Sequence, residues 1–328
     1  MDISFEGQVV AVTGAGGGLG KEYALELARR GASVVVNDLG GLGTGEDATP
    51  EPANLVVEEI RDSGGVAVAS HASVATRDGG ESIITTALTE YGRVDALICN
   101  AGYLDTGKFD ELPDEKINSM IDVHLKGAFF VGQAAFRVMK RQGYGRILFT
   151  GSSSGYFGNP GQASYGAAKT GLLGLSNIIA VEGEAHGIRS NVLLPGANTR
   201  LASSQDWTWV ADYPELGAMI ERAQNAPSSE RIDPRWVMPL AVYLVSQQCQ
   251  ATHGTYSAVG GRYARVFVGT TPGWYSAELP SVEAIASAWD AVENRTGFTE
   301  PLTPYHELCD INDGWAALIA EHSRPAAE

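Results

Sequence analysis

The chain has 328 residues, 44% of them hydrophobic, and a formal net charge of −16, long for one ordinary domain and short for two. That acidity argues against a nucleic-acid partner, although a local Lys/Arg patch could still hold an anionic substrate. No apolar run approaches the ~20 residues of a membrane span, no Cys/His cluster has metal-ligand spacing, and acidic Met1 to Glu6 leads almost directly into the first strand, so no signal peptide is visible and a cytoplasmic enzyme is expected.

Gln8 to Val12 is a β-branched, apolar run suited to a buried parallel strand. It enters Thr13-Gly14-Ala15-Gly16-Gly17-Gly18-Leu19-Gly20, followed by a helical stretch over 21–30. Strand, glycine turn and helix form the setting of a dinucleotide fingerprint. Glycines 14, 16, 18 and 20, with Leu19 among them, let the backbone approach a pyrophosphate, whose charge the helix N-terminus stabilises. A second apolar strand over 33–37 ends at Asp38, about 20 residues on, where a carboxylate accepts from adenosine ribose hydroxyls and repels a 2′-phosphate. The loop has no basic residue before Lys21, and Leu39-Gly40-Gly41 follows the acid, so NAD is the expected cofactor.

Gly40 to Pro52 reads as a mobile surface loop. Helix 53–63 precedes a strand at 66–69, and helix 76–91 precedes a strand at 94–99 that leads to Asn100-Ala101-Gly102. Helix 114–141 leads to a strand at 146–150, which delivers Ser152. Helix 163–186 carries Tyr165 and Lys169 on one face, and a strand at 189–194 delivers Pro195-Gly196. This alternation predicts an α/β fold with a doubly wound parallel sheet, a Rossmann fold over 1–268, followed by a C-terminal extension over 269–328. Ligands of such sheets bind at the carboxyl ends of the strands. Gly14, Asp38, Ser73, Asn100, Ser152 and Pro195 all fall at or just beyond such ends. A tyrosine titrates near ~10, and an adjacent ammonium favours the phenolate, making it a usable proton acceptor. Three scattered cysteines, Cys99, Cys249 and Cys309, suit a reducing compartment and read as small, buried or partly buried thiols.

Thr13 to Gly20, Asn100-Ala101-Gly102, Ser152, Tyr165 with Lys169, and Pro195-Gly196 together resemble the short-chain dehydrogenase/reductase family. The glycine loop fits the spacing of both its short members and its longer sugar-nucleotide epimerases. Asn100-Ala101-Gly102, and a serine thirteen residues before the tyrosine, decide for the short form. Val35 to Gly41, Asp122 to Gly127, Gly155 to Asn159, Gly161 to Tyr165 and Gly171 to Leu175 are similar to the (3R)-hydroxyacyl-CoA dehydrogenase units of peroxisomal multifunctional β-oxidation enzymes, also known as 17β-hydroxysteroid dehydrogenases. The hydratase and sterol-carrier domains have no counterpart here. The resemblance implies that Tyr165 takes the hydroxyl proton as hydride leaves for nicotinamide. Lys169 depresses the tyrosine pKa and holds the nicotinamide ribose, and Ser152 orients the substrate oxygen. A bland alternative makes Ser152 a turn residue. The family's spacing puts Ser73-Val74 at the adenine, Asn100 beside the adenosine, and Gly196 to Thr199, Asn198 among them, at the nicotinamide, with Ala101, Gly102 and Pro195 also in the cofactor site. His124 stands where most members have an asparagine whose backbone holds a relay water. Its imidazole is either catalytic or dispensable.

Leu201 to Pro227 holds Trp207, Trp209 and Tyr213 where the family places its substrate lid. These aromatics either line a wide apolar pocket or pack the lid down. After a last strand at 255–259, Ser281 to Asn294 shows helical spacing of apolar residues. In the resembling enzymes such an extension packs at the subunit interface of a homodimer or homotetramer. Trp274, Trp289 and Trp315 are either anchors there or intrachain core. The expected reaction is NAD-dependent oxidation of a secondary alcohol, first a (3R)-3-hydroxyacyl-CoA, second a free steroid alcohol. The competitor of another class is a non-catalytic NAD-binding protein.

Overall fold

The computed structural model describes residues 2–41, 48–199 and 208–322. Part of the expected surface loop (42–47) and part of the expected lid (200–207) lie outside the described residues. The chain forms two compact units, Met1–Arg265 and Val266–Glu328.

In the first unit, strands β1 (Val9–Thr13), β2 (Ser33–Asn37), β3 (Val66–Ser70), β4 (Ala96–Cys99), β5 (Gly145–Thr150), β6 (Ile188–Gly196), β7 (Gly254–Val259) and β8 (Arg262–Val266) make one sheet in the order β3-β2-β1-β4-β5-β6-β7-β8. Pairing is parallel from β3 through β7. Every residue of β1, β4 and β5 is buried, as strands covered by helices on both faces require.

Alternation assigns each strand's side chains to two cores. Val10, Val12, Val34 and Val36 pack with Tyr23 and Leu27 of α1 (Gly18–Arg29) and with Val56 and Ile60 of α2 (Glu51–Asp62). On the other side α3 (Arg77–Tyr91), α5 (Gly127–Gln142) and α7 (Ala163–Gly183) pack together, with Phe149 of β5 reaching Gly132 of α5. The strand order reverses between β1 and β4. The crevice at that switch point is where such a sheet binds its ligand.

The helix expected over 114–141 is interrupted. α4 (Asp114–Met120) passes into a π-helical turn, Ile121–Lys126, before α5 resumes. Strand β8, the short helix α6 (Ser153–Phe157), α9 (Met238–Leu244) and α12 (Pro304–His322) add to the expected elements. Between β6 and α9 lies α8 (Pro214–Gln224), a helix without a buried residue. The helix expected at 281–294 forms as two, α10 (Val282–Ser287) and α11 (Trp289–Val292), parted at Ala288. Within the second unit Phe267 stacks on Phe298, and Tyr275 meets the Trp315 ring edge-on, each pair 5.2 Å apart. Trp315 thus joins intrachain packing, while Trp289 is 52% exposed.

Candidate active site

The glycine turn is built for close backbone approach. Gly14 has φ +65°, and a Cβ there would lie 2.6 Å from Ala101 Cα; one on Gly20 would lie 2.2 Å from the Gly14 carbonyl oxygen. α1 begins at Gly18 with glycine also at its N-cap, leaving its first N–H groups for an anion. Asp38 closes the far side: its Oδ2 accepts from the Gly16 N–H and its Oδ1 from the Gly40 N–H, both at 2.8 Å. These residues fit a dinucleotide: a side-chain-free cradle, a helix start, and a carboxylate anchored to the cradle with lone pairs to spare.

Asn100 ties the glycine cradle together from the end of β4. Its Nδ2 donates to the Thr13 and Gly14 carbonyls at 3.1 Å, and the Thr13 hydroxyl accepts from the N–H groups of Asn100 and Ala101 at 3.0 Å. Asn100 and Thr13 thus lock the ends of β1 and β4 together, which shapes the glycine turn. Ser73 accepts from the Ala75 N–H at 3.3 Å. Val74 is buried against Gly127. Leu19 packs on the core under the turn.

Ser152 is the N-cap of α6, accepting from the Ser154 N–H at 3.2 Å, and its hydroxyl lies close enough to the phenol of Tyr165 to pull its pKa down. Lys169, one turn along α7, is buried with its Nζ 2.7 Å from the Thr150 carbonyl and 5.7 Å from the centroid of the Tyr165 ring. Ser152, Tyr165 and Lys169 therefore meet at the end of β5. Burial pushes the Tyr165 phenol upward, with the Ser152 hydroxyl pulling the other way, and burial lowers the Lys169 ammonium to about 8. This corrects the expectation that Lys169 depresses the phenol. Sequence spacing gives proximity but carries no cost of desolvation.

His124 joins the same cluster through the π-turn, a feature that recurs at functional sites. Its ring is 3% exposed and meets Tyr165 edge-on at 5.2 Å. Nε2 lies 2.6 Å from the Tyr103 carbonyl oxygen and 3.3 Å from the Tyr103 nitrogen. The shorter contact is to an acceptor, so Nε2 carries the proton. Burial, then the Lys169 charge, hold the ring's pKa well below its ordinary value against the Tyr103 carbonyl's opposing pull. A neutral imidazole results, with Nδ1 a buried acceptor lacking a partner among the described residues. Gly102 is required here: a Cβ would lie 2.1 Å from His124 Cε1. Beside this group Thr13, Cys99, Val74, His124 and Lys169 line a cavity of about 10 Å³, near the lower limit for one water.

Pro195 and Gly196 end β6 and pair with Ala258 and Val259 of β7, and the Asn198 N–H donates to the Ile232 carbonyl at 2.6 Å. Beyond them the 3-10 turn Thr208–Asp212 is tied to the loop after β4 by an ion pair between Lys108 and Asp212 at 2.6 Å. Sequence reasoning missed Thr13, Tyr103 and Thr150. Two of these act through backbone carbonyls, which no residue pattern encodes.

A family model described as short chain dehydrogenase matches residues 8–207. The chain is 43% identical over 290 residues to a short-chain type dehydrogenase/reductase of Mycobacterium tuberculosis, covering 88% of this chain and 95% of that one. It is 38% identical over 336 residues to the peroxisomal multifunctional enzyme type 2 of Mus musculus, covering 99% of this chain and 43% of that one. The structure of full-length peroxisomal multifunctional enzyme type 2 from Drosophila melanogaster superposes with a TM-score of 0.75 at 30% identity, covering 96% of this chain and 51% of the other. The chain thus spans about half the length of these multifunctional relatives.

Proposed function

The chain belongs to the short-chain dehydrogenase family of oxidoreductases acting on CH–OH groups, and from that premise we propose that it oxidises (3R)-3-hydroxyacyl-CoA to 3-ketoacyl-CoA with NAD. The observation that carries the chemistry is the cluster of Ser152, Tyr165 and buried Lys169, with the Lys169 nitrogen 5.7 Å from the centroid of the Tyr165 ring, at the carboxyl end of the sheet and next to the dinucleotide cradle. Tyr165 takes the proton of the substrate hydroxyl. Ser152 hydrogen-bonds the same oxygen and stabilises the charge that develops on it. Lys169, fixed by the Thr150 carbonyl, holds its ammonium 5.7 Å from the centroid of the Tyr165 ring, where it would bind the nicotinamide ribose. The glycine turn, the start of α1 and Asp38 would hold NAD, which would supply the acceptor for the hydride of the carbinol carbon.

The acyl-CoA preference rests on likeness to the multifunctional enzymes over nearly the whole chain. The preference for NAD rests on Asp38, whose anchored carboxylate suits ribose hydroxyls and repels a 2′-phosphate. Asp38→Ala is expected to narrow the NAD-over-NADP ratio of dissociation constants by at least about tenfold, since a charge-assisted bond is lost and a repulsion removed. An unchanged ratio, or tighter NADP binding by the parent, overturns this choice. The substrate test is a panel of straight-chain and steroidal 3-hydroxyacyl-CoAs assayed with NAD beside free steroid alcohols. Higher kcat/KM on the CoA esters is expected. Higher values on a free steroid replace the reading with a hydroxysteroid dehydrogenase, and NAD binding without turnover of any alcohol replaces it with a non-catalytic protein.

A further inference from the structure

Around the hairpin joining β7 to β8, positive charge gathers that the catalytic cluster does not use. Arg231, at the end of the 3-10 turn Pro227–Arg231, donates to the Pro227 carbonyl at 2.8 Å and holds its guanidinium 5.7 Å from the centroid of the Trp236 ring. Gly261, at φ +78°, brings the hairpin so near that a Cβ there would lie 2.9 Å from Arg231 Cδ. Arg262 comes next and is exposed, and the Tyr263 hydroxyl donates to the Trp236 carbonyl at 2.7 Å. Trp236 and Tyr263 are 42% and 47% exposed. Arg235 is neutralised by Asp233 at 2.8 Å, whereas neither Arg231 nor Arg262 forms an ion pair among the described residues. In a chain of net charge −16, two uncompensated arginines beside an exposed tryptophan and tyrosine complement a phosphorylated aromatic base.

The location suits a substrate handle. The register of β6 on β7 and the Asn198–Ile232 bond set this patch next to the segment after β6. Ser152 follows β5, two strands from β7, so the strand ends are ~10 Å apart. Asp38 follows β2, five strands away, on the order of 24 Å. One dinucleotide adenosine cannot occupy both places.

We propose that Arg231, Trp236, Arg262 and Tyr263 bind the 3′-phospho-adenosine diphosphate end of coenzyme A while the thioester end lies at Tyr165. This rests on the acyl-CoA reading above and gives that substrate a second point of attachment that a free steroid alcohol lacks. The test compares one 3-hydroxyacyl group as its CoA ester and as its N-acetylcysteamine ester, which keeps the thioester and lacks the nucleotide. In Arg262→Ala, and separately in Arg231→Met, the kcat/KM ratio of CoA ester to N-acetylcysteamine ester is expected to fall about tenfold, the loss of one charge-assisted contact. Arg262→Lys should restore part of it. Adenosine 3′,5′-bisphosphate is expected to compete with the CoA ester and not with NAD, and to inhibit Arg262→Ala less. If both esters are turned over and the variants leave their ratio unchanged, the site is overturned while the acyl-CoA reading stands. If neither ester is turned over, both fall.

Discussion

Tyr165 and His124 share one buried cluster but face different demands. Tyr165 stands beside Ser152 and Lys169, so Tyr165→Phe is expected to lower kcat by about 10²–10⁴, the usual worth of a positioned acid–base, with NAD affinity intact by fluorescence titration. His124 is neutral and spends its one proton on the Tyr103 carbonyl. His124→Ala should therefore cost only about tenfold, through a cavity beside the Tyr165 ring and a lost loop anchor. Equal losses in the two variants would make the imidazole a proton carrier. Lys169 allows a test by stability. Its folded pKa of about 8 lies below the ordinary 10.5, so the unfolded chain binds its proton more readily and the buried ammonium costs stability below pH 8. That cost disappears as pH rises to 10.5. Lys169→Met removes it, so the Tm of the variant minus that of the parent should be highest below pH 8 and decline up to pH 10.5. The orphaned Thr150 carbonyl adds a pH-independent offset, and a flat difference would show that the ammonium is not desolvated as the geometry implies. Ser152, Tyr165 and Lys169 were legible because chemistry restricts their types and spacing. Thr13 and Tyr103 were not, since the first works across strands 87 residues apart in sequence and the second through a carbonyl that any residue has.

The site depends on how α4, the π-turn and the end of β4 meet. The π-turn brings His124 against Gly102 so closely that a methyl group has no room. Gly102→Ala should destabilise the protein by about 1–3 kcal/mol, as overpacking does. In the double variant with His124→Ala the clash partner is gone, so the two costs should add to less than their sum. Urea midpoints of the four proteins give the coupling, and strict additivity would separate Gly102 from the ring and return it to a cofactor role alone. The strands through β7, and α1, α2, α3, α5 and α7, were readable because apolar runs alternate with amphipathic stretches. The π-turn was not, because one widened turn leaves an apolar pattern nearly unbroken. β8 escaped because Arg262-Tyr263-Ala264-Arg265-Val266 mixes charge into an edge strand, which native edges commonly do. The expected 281–294 helix was read through Ala288, where the backbone leaves helical geometry at ψ 5°.

For the molecule as a whole, the segment from Val266 onward poses the largest physical problem. A unit shorter than about 70 residues seldom builds a self-sufficient core. Yet this one leaves Leu279 98%, Val282 80%, Tyr305 77% and Leu308 53% exposed, although Phe267, Phe298, Tyr275 and Trp315 pack within it. Exposed apolar side chains in such numbers suit a contact with another molecule, and we propose a second copy of this chain as the occupant. Placing a carboxylate in such a contact leaves a buried, unpaired charge on association while costing the isolated chain almost nothing at an exposed site. Tyr305→Asp with Leu308→Asp should therefore lower the molar mass measured by light scattering at micromolar concentration, while NAD binding, proposed to draw on β1, β2 and the glycine turn, is retained. An unchanged mass would mean that these side chains face solvent in the assembled enzyme. A reduced mass with normal turnover of the proposed hydroxyacyl-CoA substrate would confine the second unit to assembly, and a reduced mass with lost turnover would tie assembly to activity.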